Sequence, residues 1–191
     1  TIVAELECET IQIAYFAPYS YERHQDLLAA VQVHPLVTLE HLGETLDKRD
    51  LTLVKIGDGA AHKRNIWITA RQHPGETMAE WLIEGLLYSL LDSDNATGKQ
   101  LLDKANFYIV PNMNPDGSVR GHLRTNAAGT NLNREWQSPS LDKSPEVFHV
   151  INKMEATGVD LFYDVHGDEA LPYVFLAGSQ GTPSYSDRLA G

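Results

Sequence analysis

Short, wholly apolar runs alternate with amphipathic stretches along this chain, and that alternation limits its fold more than any other feature. Residues 65–70 (NIWITA) and 106–110 (NFYIV) have the pattern of strands buried on both faces. Between them, 76–91 reads as a helix, with apolar positions at Met78, Leu82, Ile83, Leu86, Leu87, Leu90 and Leu91. A second, short helix is predicted around 99–104. Upstream, 10–16 (TIQIAYF) reads as a strand, 19–33 as a helix stopping before His34-Pro35, and 36–42 and 51–56 as strands joined through the polar stretch 43–50. Downstream, Ser144 suits an N-cap, Pro145 the first helical position and Gly158 the residue after the helix, so both ends of a helix over 145–157 are marked. Residues 160–165 (DLFYDV) and 173–176 are two further predicted strands. The fold class this predicts is α/β, a mixed, mostly parallel sheet flanked by helices. In such sheets ligands bind beyond the carboxyl ends of the strands.

Two predicted strands end in residues that can carry chemistry. After 65–70 comes Arg71-Gln72-His73-Pro74-Gly75-Glu76, and after 160–165 comes His166-Gly167-Asp168. If both strands are parallel, His73 and His166 lie at one sheet edge, with Glu76 a turn away at a helix start. Two histidines and one glutamate, with a fourth position open, are a known zinc ligand set. The other histidines, at 24, 34, 41, 62, 122 and 149, lack such a setting and read as structural or solvated.

Between the two histidines lies 111–143, rich in Asn, Gly, Pro and Ser. A long irregular stretch inside a compact domain is usually functional. It holds Asn114-Pro115-Asp116-Gly117, a turn by its chemistry, then Arg124, then Gly129-Thr130-Asn131-Leu132-Asn133-Arg134. HPGE, NPDG, the spaced arginine, GTNLNREW and DVHGDE together resemble the zinc carboxypeptidases of the carboxypeptidase A clan, and most closely their cytosolic branch. The resemblance runs from about residue 45 to the end. It implies one zinc ion held by His73, Glu76 and His166, with Arg124 stabilising the oxyanion. It also implies that Asn133 and Arg134 hold the substrate's terminal carboxylate, a task suited to a guanidinium fork.

The chain departs from the family pattern in three places. Asn131 stands where an aspartate usually orients a zinc-binding histidine; its amide oxygen can still accept, but without charge. Gly75 replaces an arginine of the digestive enzymes. The glutamate that activates water, and a tyrosine that closes over substrate, lie in the family far beyond the third ligand, whereas Glu169 is too close to His166 to match. The expectation is therefore a chain truncated at its C-terminus, with 1–16 the possible end of a preceding β-rich domain and 17–191 the N-terminal part of the catalytic domain.

Composition narrows the partners. With a net charge of −11 and no basic cluster, neither nucleic acid nor an anionic membrane surface is expected to bind. No apolar run approaches the roughly 20 residues needed to span a bilayer. The start carries no secretory signal pattern, and the single cysteine, Cys8, permits no intrachain disulfide. Both fit the cytoplasm. The reading is a zinc exopeptidase acting on the C-terminus of peptides or proteins, with glutamate as the default residue removed by family analogy. Two rivals stand beside it. One is a zinc deacylase of the aspartoacylase or succinylglutamate desuccinylase type; the other is a non-catalytic zinc- or peptide-binding module. Neither oligomeric state nor physiological substrate is legible.

Overall fold

A computed structural model of the chain describes residues 7, 9, 11, 13–171 and 173–177. Its centre is a five-stranded sheet in the order β1-β2-β4-β3-β5. The strands are β1 (Val37–Glu44), β2 (Asp50–Ile56), β3 (Arg64–Ala70), β4 (Ala105–Val110) and β5 (Leu161–Val165). β1 and β2 form an antiparallel hairpin that pairs antiparallel with β4, while β3 runs parallel to both β4 and β5. The sheet is thus mixed, as the apolar runs predicted, and its parallel half carries the two strand ends of interest.

Helices cover both faces. They are α1 (Tyr21–Val31), α2 (Met78–Leu91), α3 (Ala96–Lys104), α4 (Pro115–Arg120) and α5 (Pro145–Thr157). Alternation along the strands divides the core. Ile68, Ala70, Phe107 and Ile109 pack with Leu27, Leu28, Ile83 and Leu87 on one face. Trp67, Tyr108 and Val110 pack with Leu51, Leu53, Met113, Leu132, Val147 and Val150 on the other. All six β4 residues are buried, as expected of a strand covered on both sides.

The helix over 145–157 has the predicted bounds, and its end is marked by Gly158 at φ 77°. Three expectations are corrected. Residues 114–117 are not a bare turn: Asn114 accepts a hydrogen bond from Gly117 N–H at 3.0 Å and caps α4, with Pro115 at its start. The described residues of 10–16 and of 173–176 form no strand. Tyr173 and Val174 are exposed, and among the described residues no neighbouring strand pairs with either segment, so period-2 patterning alone is not enough. Residues 1–6, within the stretch assigned to a preceding β-rich domain, lie outside the described residues.

Asp116 gives the 114–117 motif a role in the scaffold. Its fully buried carboxylate reaches 71 residues back, accepting from Thr45 Oγ1 at 2.7 Å, Asp47 N–H at 2.9 Å and Arg49 at 2.8 Å. It therefore pins the β1–β2 turn to α4. Replacing it removes a buried charged acceptor and leaves the Thr45 hydroxyl and the Asp47 N–H unmatched, while Arg49 keeps only Asp47, which costs about 3 kcal/mol. Asp116→Ala is expected to lower the stability measured by urea unfolding by that amount with an unchanged slope. A loss below about 1 kcal/mol would show that the turn holds without it.

Candidate metal centre

β3 and β5 run side by side with Thr69 opposite Asp164 and Ala70 opposite Val165, which brings the segments following both strands to one edge of the sheet. Arg71, at φ 55°, turns the chain out of β3, and Gly75 accepts the close approach of the 123 region. A Cβ at Gly75 would stand 2.7 Å from Leu123 Cδ1 and 3.0 Å from its carbonyl oxygen, while its N–H donates to that oxygen at 2.9 Å. Glu76 precedes α2 and does not lie within it. Donor atoms of His73, Glu76 and His166 all lie within 4.8 Å of one another.

The protons on both imidazoles are fixed by what lies behind them. His73 Nε2 is 3.0 Å from Asn131 Oδ1, which also accepts from the N–H of Asn133 at 3.1 Å and must therefore be the oxygen. His166 Nε2 is 2.7 Å from Asp164 Oδ2. Each Nε2 is thus a donor, which leaves each Nδ1 facing Glu76, at 2.8 Å from Oε1 for His73 and 2.8 Å from Oε2 for His166. A ring nitrogen aimed at a carboxylate oxygen must carry a proton of its own or share a cation with that oxygen, and the same holds at Oε1 for His73 and at Oε2 for His166. The set is two imidazoles and a carboxylate with buried His73 and Glu76, and it fits zinc by donor chemistry.

The three side chains also shift one another's ionisation. Burial opposes charge on Glu76, but hydrogen bonds from His166, His73 and the Gly167 N–H outweigh it and hold the carboxyl at about 2. Burial likewise pulls His166 down, yet Asp164 and Glu76 raise it to about 9. Glu76 and His166 thus stabilise each other's charged forms, and a proton on His166 would compete with a metal ion for Nδ1.

The predicted cations and amides surround these donors. Arg124 lies 3.8 Å from Glu76 Oε1, with its side chain 48% exposed. Asn133 Nδ2 is 3.3 Å from His166 Nε2, and Arg134 is anchored to the Asn133 carbonyl at 2.7 Å. Asn133 and Arg134 line an open cleft of about 470 Å³ together with Trp136, Gln137, Phe162 and Asp164. Sequence reasoning missed Asp164 and Gln72. The signal for Asp164 was its position two residues before His166, on the same face of an extended strand. Gln72 donates to Asp164 and accepts from Trp136 Nε1 at 2.9 Å, contacts between distant segments that leave no local signature.

The loop bearing Arg124 and Arg134 is moored through Asn126, whose Oδ1 accepts from the N–H groups of Ala128 and Thr130 and whose Nδ2 reaches Glu146 at 3.2 Å. Burial raises Glu146 to about 7, against the lowering effect of its hydrogen bonds from its own N–H and Asn126.

A model of the zinc carboxypeptidase family matches residues 25–188. A candidate carboxypeptidase A from Shewanella denitrificans superposes with a TM-score of 0.91 at 76% identity, over 98% of this chain and 50% of that one. The metallo-carboxypeptidase of Pseudomonas aeruginosa, solved in complex with (2-guanidinoethylmercapto)succinic acid, gives 0.83 at 47% identity over 92% and 47%. Human cytosolic carboxypeptidase 1 is 34% identical over 186 residues, which is 86% of this chain and 15% of the human protein. The chain spans half or less of the length of each.

Two outcomes follow from this geometry. Asn131→Asp should tighten zinc on the order of 10-fold, because a charged acceptor makes His73 more basic; equal or weaker affinity in a competition titration would show that His73 gains nothing from a charged acceptor at 131. Glu146 has a folded pKa above its unfolded value, so its stabilising share is full below pH about 4.5 and is lost as pH rises through about 7. Glu146→Gln should flatten that decline in urea unfolding curves measured across the weakly acidic to neutral range. An unaltered decline would assign it to other groups.

Proposed function

This chain belongs to the zinc carboxypeptidase family, and on that premise we propose that it holds one zinc ion through His73, Glu76 and His166 and serves an exopeptidase that removes residues from the C-terminal ends of peptides or proteins. The observation that carries the reading is the convergence of both Nδ1 atoms on Glu76, with each Nε2 tied from behind. Bound there, zinc would supply a Lewis acid that polarises a carbonyl and eases deprotonation of water.

The chain's own residues divide the remaining work. Arg124 is close enough to Glu76 to meet negative charge developing on a carbonyl oxygen beside the centre, and a fixed cation stabilises that charge most where it forms. Arg134 and Asn133 line the adjoining cleft, where a guanidinium and an amide can pair with a terminal carboxylate and so select a chain end over an internal bond. No residue of this chain is assigned as the base that takes the proton from water.

The relative named a cytosolic carboxypeptidase supports a cytoplasmic setting, and among the described residues no helix is long and apolar enough to cross a membrane. Glutamate remains the default for the residue removed, by analogy with that branch. The ligand of the Pseudomonas relative carries a guanidino group as well as carboxylates, so peptides ending in Glu and in Arg are the pair to compare.

Full-length protein loaded with zinc is expected to cleave peptides with free C-termini and to leave the same peptides untouched when amidated. Arg134→Ala should slow turnover well over tenfold, since losing a buried charge-assisted contact costs about 2–5 kcal/mol. Arg124→Ala should lose mainly kcat, because its partner charge develops only in the transition state. Equal cleavage of amidated peptides would end the exopeptidase reading. Activity confined to N-acyl amino acids would favour the deacylase, and zinc binding without hydrolysis would favour a binding module.

A further inference from the structure

The two histidines of the centre are backed by unlike groups. His73 donates to a neutral amide oxygen, that of Asn131, at 3.0 Å. His166 donates to a carboxylate, that of Asp164, at 2.7 Å. Asp164 is itself fastened on every side. Its Oδ1 accepts from the Thr69 hydroxyl at 2.8 Å, and its Oδ2 also accepts from the side-chain amide of Gln72. Gln72 in turn accepts from the indole N–H of Trp136 at 2.9 Å, and Trp136 leans on Phe162 with ring centroids 5.5 Å apart. A carboxylate braced by the neighbouring strand, the loop after it and the cleft wall has few orientations open to it.

We propose that Asp164 is a positioning residue of the metal centre: it holds His166 with Nδ1 toward Glu76 and supplies the outer negative charge that Asn131 does not supply to His73. The inference rests on the zinc-centre reading above. A carboxylate behind a ligating imidazole fixes its tautomer and raises its basicity, and its loss typically costs about 10–100-fold in metal affinity. Here that charge sits behind His166, on β5, two residues before the ligand. The arrangement also joins the cleft to the centre, since Trp136 and Phe162 line the cleft and Trp136 reaches Asp164 through Gln72.

The competing account makes Asp164 a strand-end brace that joins β5 to β3 through Thr69 and does nothing for the metal. Asp164→Asn separates the two. The amide oxygen can still accept from His166 and Gln72, and the amide nitrogen can donate to the Thr69 hydroxyl, so shape and bonding survive while the charge is lost.

Zinc affinity measured by chelator competition is expected to fall about 10–100-fold in Asp164→Asn, with the urea midpoint of the zinc-free protein little changed. Thr69→Val, which removes the brace and keeps the charge, should alter zinc affinity less than about threefold, well short of that loss. Adding Asn131→Asp to Asp164→Asn should recover most of the lost affinity by moving the charge behind His73. Histidine-ring NMR of the zinc-loaded wild type should place the His166 proton on Nε2. Zinc held equally well by Asp164→Asn and wild type, or a His166 proton on Nδ1, overturns the assignment and leaves the zinc centre standing. Failure of the wild type to take zinc overturns both.

Discussion

The parallel pairing of β3 with β5 sets everything at the centre. With Ala70 opposite Val165, the chain leaves both strands at the same level, and the segment after Ala70 meets the segment after Val165 at one point. The Thr69–Asp164 hydrogen bond spans the last rungs of that ladder. A slip of one residue would turn Asp164 to the opposite face and take His166 with it, because the side-chain period of a strand is two. The register therefore matters here as chemistry as well as packing. Gly167 lies against the Met78 side chain of α2, which would have to swing aside for a Cβ there, and its N–H reaches Glu76 at 3.0 Å.

The other half of the constraint is a buried charge network behind the loop at 71–76. Arg71 donates to the carbonyls of Tyr19 and Pro74, at 2.9 and 3.0 Å, and to Glu80 at 2.5 Å. Glu80, wholly buried, also meets His24 at 2.6 Å and Asn112 at 3.3 Å. Charges this deep contribute little net stability against apolar substitutes, yet removing one partner strands the other. Their effect is on shape. Arg71 sits in the left-handed region with its side chain tied to the Tyr19 carbonyl ahead of α1, to α2 and to the loop's own carbonyl, so the turn that delivers His73 has one geometry.

Much of this was legible in the sequence because it is local. The strand ends, the helix over 145–157 with Pro145 at its start and Gly158 at its end, and the HPGE and HG segments are patterns of neighbouring residues; the hydroxyl of Ser144, expected to cap that helix, makes no capping bond and accepts from the Ser140 N–H instead. What was not legible is long-range or marginal. The α4 helix has six residues, too few for a period, so Asn-Pro-Asp-Gly read as a turn; the tie from Asp116 to Thr45 spans 71 positions and has no local mark. At 10–16 the alternation was real but the described residues find no strand partner, and a period of two in exposed residues specifies no pairing. Asp164 was within reach, since residues two apart on a strand share a face, but a family template directs attention to Asn131.

The site also divides its groups by burial. The candidate metal donors are held before anything binds: His73 is 2% exposed and each of its ring nitrogens has a partner. The cations are held loosely by contrast. Among the described residues Arg124 makes one ionic contact, at 3.8 Å, and Arg134 bonds only the carbonyl beside it. That contrast suits the tasks proposed for them. A set of metal ligands benefits when it is ordered in advance, because any freedom it keeps must be lost on binding. A cation that must meet an incoming carboxylate or a developing oxyanion has to keep donors free, and a guanidinium saturated by protein acceptors, as Arg71 is by Glu80 and two carbonyls, could not serve. The same residue type is thus structural at 71 and available at 124 and 134. What separates the roles is burial and the partner already in place, neither of which a sequence motif records.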